Sequence, residues 1–142
     1  MFRATLLVLT SLIATATVAQ ERLPAPANAE LYIISPKDGE KLSNPVTVRF
    51  GLKGMGVAPA GIKMDDTGHH HLLIDTDLPT DLSKPIPPAV ENKILHFGKG
   101  QTEATLTLPA GKHTLQLVLG DFLHIPHNPA VVSKKIAIEV TK

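Results

Sequence analysis

Apolar and polar residues alternate with period 2 along much of this chain, and no segment sustains the 3.6-residue period of a helix. Residues 46–50 (Val-Thr-Val-Arg-Phe) put every second side chain on one face, as a strand half-buried against a core requires. Residues 102–108 and 113–120 alternate in the same way on either side of Pro109-Ala110-Gly111-Lys112, so the pattern predicts two strands joined as a hairpin. Residues 31–35 are β-branched and aromatic and run into Pro36-Lys37-Asp38-Gly39, where proline presets φ and glycine tolerates φ > 0. A strand over 69–75, a short edge strand at 94–97 and a last strand over 131–140 complete the set. The expected fold is all-β: an immunoglobulin-like β-sandwich of about seven strands with Greek-key connections.

The stretches between these strands are uneven. Residues 51–68 carry five glycines and a proline and predict one long loop, the kind of segment that on a compact domain more often holds function than not. Residues 76–92 carry four prolines and predict an extended surface crossover, while Pro126 and Pro129 break the pattern after Gly120.

The N-terminus adds a compartment. Residues 1–19 have a single arginine, then a short apolar run, then small residues, which is the pattern of a cleavable signal peptide. Cleavage is expected after Ala19, with Ala16 as the second choice. Residues 20–29, with two prolines and no period, read as a flexible N-terminal arm, and residues 30–142 as a single domain. No later apolar run approaches the roughly 18 residues that span a bilayer, so the expectation is a periplasmic protein with no membrane insertion after cleavage. The chain has no cysteine, so it gains no disulfides and offers no thiol to a lipid anchor. Its formal charge of +1 falls to zero when Arg3 is removed, which gives no electrostatic match to nucleic acid or anionic lipid.

The candidate chemistry lies in the histidines. There are seven, all between His69 and His127, and three stand together as His69-His70-His71 at the head of a strand. Strand alternation puts His69 and His71 on one face with Leu73 and Asp75, and His70 on the other with Leu72 and Ile74. In the usual Greek-key order the third strand, 69–75, runs antiparallel beside the sixth, 113–120, so His69 to His71 should lie next to Gly120-Asp121. The loops 51–68 and 121–130 and the segment 96–101 then meet at the same pole. His113 should lie roughly 20 Å from it at about 3.3 Å per residue, and reads as structural.

Imidazole suits copper and zinc, and two histidines two apart on a strand aim at one point. His69 and His71 are therefore expected to supply two ligands of a metal site, with His124 or His127 a third and His96 near them. Met55 and Met64 are thioether candidates from the adjacent loop, and His70 and Asp121 candidates for orienting the rings. The ion expected is copper, with zinc second. The bland alternative is that these imidazoles bond loop carbonyls and order the pole of a binding or structural module that meets a partner protein in the periplasm. A third reading is enzymatic: His69-x-His71 with a later acid, then Pro109-x-Gly111-x-His113, is superficially similar to the two ligand motifs of a metal-dependent cupin, although Asp75 stands where a glutamate belongs. Hydrolase and nucleotide-binding patterns are absent from the sequence.

The blocks 54–61 (GMGVAPAG), 68–75 (GHHHLLID), 96–103 (HFGKGQTE) and 111–117 (GKHTLQL), with Gly120-Asp121 and the His124-x-x-His127 turn, resemble a family of exported bacterial proteins known as a domain of unknown function. The resemblance runs from about Leu31 to Val140. It implies export and a small β-domain, and brings no activity with it. In layout the chain is similar to small copper-carrying periplasmic sandwiches.

Overall fold

The computed structural model describes residues 21–142, so the expected signal peptide and its expected cleavage site lie outside the described residues. All regular structure among those residues is strand: β1 (Glu30–Ser35), β2 (Lys41–Leu42), β3 (Val46–Lys53), β4 (Gly56–Val57), β5 (Thr67–Ile74), β6 (Ile94–His96), β7 (Glu103–Leu106), β8 (Gly111–Gly120) and β9 (Ile136–Val140). A three-stranded sheet has the order β1-β3-β7, and a six-stranded sheet the order β2-β9-β8-β5-β4, with β6 also paired to β5.

The core lies where the predicted alternation points. Val46, Val48 and Phe50 of β3 join Leu72 and Ile74 of β5, Leu115, Leu117 and Leu119 of β8, and Ile138 and Val140 of β9 in one buried cluster. At about 25 cal/mol for each Å² of apolar surface removed from water, this cluster is the main stabilising term. The other face of the six-stranded sheet is covered as well. Leu73 and Val118 pack there with Ile86 from the proline-rich crossover and Ile94 of β6. Hence β5 is buried on both faces over most of its length, and its sequence reads as a continuous apolar and histidine run.

Four features differ from the sequence expectation. β7 and β8 do not form a hairpin: β7 pairs with β3 and β8 with β5 and β9, so residues 107–110 carry the chain from one sheet to the other. Alternation fixes which face of a strand meets the core, and a strand in either sheet satisfies it. The loop expected over 51–68 is interrupted, because β3 continues to Lys53 and Gly56–Val57 pairs in parallel with Thr67 and Gly68. The final strand is shorter than expected. Residues 131–133 bond to β8 through Leu119 N–H to the Val131 carbonyl at 3.0 Å and Ser133 N–H to the Leu117 carbonyl at 3.0 Å, and the regular strand starts only at Ile136.

Residues 22–29, expected as a loose arm, lie along the segment after β8: Ala25 N–H donates to the Asn128 carbonyl at 3.2 Å, and Asn128 N–H to the Leu23 carbonyl at 2.9 Å. The pole itself forms as the register predicts. His69 stands opposite Gly120, His70 opposite Leu119 and His71 opposite Val118. The three loops meet there, with Ala60 N–H on the Gly98 carbonyl at 2.9 Å and Gly61 N–H on the Phe122 carbonyl at 3.0 Å.

Candidate metal centre

Alternation along β5 delivers the first two imidazoles. His70, Leu72 and Ile74 turn to the core, which leaves His69 and His71 on the outer face with Leu73. β6 runs antiparallel beside β5 with His96 directly opposite His71, so strand pairing brings a third ring to the same face.

The fourth comes from the turn after β8. There the Asp121 side chain accepts from Leu123 N–H at 2.8 Å and Ile125 N–H at 2.9 Å through Oδ1. His124 N–H donates to the Asp121 carbonyl at 2.9 Å, and His124 adopts a left-handed φ of 67°. Its own carbonyl accepts from Ile86 N–H at 2.8 Å. The turn doubles back and brings the His124 ring to the rings of β5.

The result is a compact set. One nitrogen from each of His69, His71, His96 and His124 lies within 4.8 Å of all the others, and the six pairs of ring centroids are 4.7 to 5.8 Å apart. Four points that close fit inside a sphere of radius about 2.9 Å, against metal–nitrogen bonds of about 2.0–2.1 Å. A contraction of under about 1 Å per nitrogen makes a coordination shell. The only hydrogen bond found within the set joins Nε2 of His124 and Nε2 of His96 at 3.2 Å.

The electrostatics favour lone-pair donors. His69 and His71 are 0% and 1% exposed, and both ring nitrogens of His69 and Nδ1 of His71 have no hydrogen-bond partner. Burial, then the neighbouring imidazoles, pushes His69 down to about 4 and His71 down to about 2. His96 is lowered as well, by burial and then by His124. At neutral pH these rings are uncharged, the form that binds metal. No buried carboxylate belongs to the set, and unpartnered polar atoms in a sheet face are unusual enough to call for an explanation.

Two glycines make room for it. A Cβ on Gly120 would sit 2.9 Å from Cε1 of His71 and 3.2 Å from the Cα of His124. A Cβ on Gly98 would sit 2.3 Å from Cε1 of His96, whose ring is exposed on its other side and can turn away. We expect Gly98→Ala to swing His96 out and weaken ion binding by at least about tenfold, while the urea midpoint moves little. Equal affinity in the variant would show that His96 is dispensable. Gly120 was already placed beside the histidines by the expected strand pairing, whereas nothing in the sequence marks Gly98 as making room for a ring.

The other nominated residues fall elsewhere. His127 is buried but outside the set, its Nε2–H donating to the Thr67 carbonyl at 3.1 Å. His70 does not orient the ligand rings: it lies on the core face against Phe50, centroids 5.1 Å apart, with neither nitrogen bonded. Burial pushes it down to about 4, and the Gln101 backbone opposes that without making a full hydrogen bond. Asp121 shapes the turn instead of bonding an imidazole. Met55 packs against the main core and Met64 is 58% exposed.

His113 is structural, as expected: Nδ1–H donates to Asp75 Oδ2 at 2.7 Å and Nε2–H to the Pro109 carbonyl at 2.8 Å. Asp75 and His113 thus hold each other rather than completing a cupin-like ligand set with His69 and His71. Two acceptors facing two nitrogens require the imidazolium. Burial opposes that charge, but the Asp75 and Pro109 bonds outweigh it and the net effect is a raised pKa. The stabilisation is therefore complete below the ordinary histidine value of about 6.5 and fades as pH rises through the raised one. His113→Gln should lower the urea midpoint more at about pH 6 than at about pH 9. A larger loss at the higher pH would contradict the charged form.

Residues 48–141, well over half of the chain, match the family described as Domain of unknown function (DUF4399). The chain belongs to this family. All four clustered histidines lie within the segment shared with DUF4399. No curated protein and no solved structure matches the chain.

Proposed function

We propose that this DUF4399 protein is exported, and that it holds one metal ion on His69, His71, His96 and His124 and carries or buffers it without transforming a substrate. The observation that carries this reading is the convergence of four imidazole nitrogens within 4.8 Å, with both nitrogens of His69 and Nδ1 of His71 buried without a partner. An all-nitrogen set favours copper(II) over zinc, since affinity for such sites rises to Cu²⁺ and falls again at Zn²⁺. Export rests on the leader-like residues 1–19, and an exchange partner in the periplasm is part of the proposal. We read the two sheets as an immunoglobulin-like Greek-key sandwich, a reading supported by the antiparallel pairing of β5 with β8.

The alternative, histidines that order loops, describes His127 and His113, each of which bonds a carbonyl. It does not describe the four, whose rings face one another. The test is titration of the tag-free protein with Cu(II), Cu(I) and Zn(II). Binding of a single ion tighter than about micromolar supports the proposal, and weaker binding for all three overturns it.

A further inference from the structure

We propose that Arg22 is a positioning residue for His124, so that the segment ahead of β1 is a working part of the metal centre. The inference rests on the four-histidine reading. His69, His71 and His96 stand on paired strands, whose register fixes them. His124 alone stands on a turn, so its placement depends on what that turn is fastened to.

Beyond the Asp121 and Ile86 bonds at the turn itself, two side chains fasten its C-terminal side. His127 Nε2–H donates to the Thr67 carbonyl at 3.1 Å, which ties the turn to the head of β5, two residues before His69. Arg22 holds the next layer: Nε–H donates to the Pro126 carbonyl at 2.8 Å, and Nη2–H to the His127 carbonyl. Beside this fork the backbone of Leu23 and Ala25 exchanges two hydrogen bonds with Asn128. A guanidinium donates in two directions from one rigid plane, so it can lock two successive carbonyls that a single-point cation would leave free to rotate. Without it the Pro126 and His127 carbonyls turn to water, and the His124 turn keeps its Asp121 and Ile86 bonds but loses the side-chain clamp behind it. A coordination shell tolerates errors of only a few tenths of an ångström, and supports one layer behind the ligands typically change metal affinity about 10- to 100-fold. Arg22 lies outside the DUF4399 segment, residues 48–141, so this support comes from chain beyond the matched domain.

The experiment is a double-mutant cycle. Wild type, Arg22→Gln, His124→Ala and the double variant are each titrated with Cu(II) alone, and the Cu(II) forms are compared by electron paramagnetic resonance. Arg22→Gln should weaken binding about 10- to 100-fold and alter the copper spectrum. In the His124→Ala background the same change should alter affinity by less than about twofold, because the residue it positions is gone. Arg22→Lys, which keeps the charge and can keep one of the two bonds, should fall between wild type and Arg22→Gln and supplies a second folded comparison. An unchanged affinity and spectrum in Arg22→Gln, or an equal loss in both backgrounds, overturns the positioning role while the metal site stands. Failure of wild type to bind copper at all overturns both.

Discussion

In chelator-treated solution the protein should lose most of its folding stability between about pH 7 and pH 4, a loss that begins well above the range where carboxylates titrate. The cause is three neighbouring imidazoles. Burial holds His69 and His70 down to about 4 and His71 to about 2. In the unfolded chain each returns to an ordinary value near 6.5, so the unfolded state binds more protons throughout this window and stability falls as pH falls. A tenfold change in proton affinity between the folded and unfolded chain is worth about 1.4 kcal/mol, so His70 alone contributes on the order of 3 kcal/mol, and the three together rival the roughly 5–15 kcal/mol that holds a domain folded. His113 works in the opposite direction and offsets part of the loss. Urea midpoints measured across this range should drop steeply, and His70→Leu should retain more stability at the acid end than wild type. A flat profile between about pH 7 and pH 5 would contradict the burial of neutral rings.

Substituting a ligand should move stability in opposite directions with and without an ion. In ion-free solution His69→Leu and His71→Leu should each stabilise by about 1–3 kcal/mol, because an apolar side chain of similar volume replaces buried nitrogens that have no partner. With copper at about 1,000 times its dissociation constant, wild type gains about 4.1 kcal/mol and the variants gain little, so the order reverses. Such a reversal is the mark of residues kept for binding at a cost in stability. Thermal melts of the variants with and without Cu(II) read both signs. Variants that are less stable than wild type in both conditions would show that the imidazoles serve packing.

Much of the centre was legible in the sequence because two regularities are strong. Period 2 separates His69 and His71 from His70, and the expected antiparallel pairing of 69–75 with 113–120 puts them beside Gly120. His96 was placed at the pole through the segment 96–101, but its position directly opposite His71 comes from a pairing of β6 with β5 that no alternation announces. The choice between His124 and His127 was not legible. It depends on the Asp121 turn and a left-handed residue at 124, and no alternation reports on either. The places of Met55, packed against the main core, and Met64, exposed, were not legible for a similar reason: they flank the two-residue strand β4, which no alternation predicts. The β7–β8 connection was misread because alternation marks a face and not a sheet. Arg22 was invisible because an arginine in a proline-containing arm gives no sign of which carbonyls it will reach.

Whether the four histidines form one coordination shell can be read by X-ray absorption on the protein loaded with one equivalent of Cu(II). A shell of nitrogen at about 2.0 Å is expected, with the outer scattering of three to four imidazoles and no sulfur. A sulfur scatterer, or scattering from two imidazoles or fewer, would contradict it.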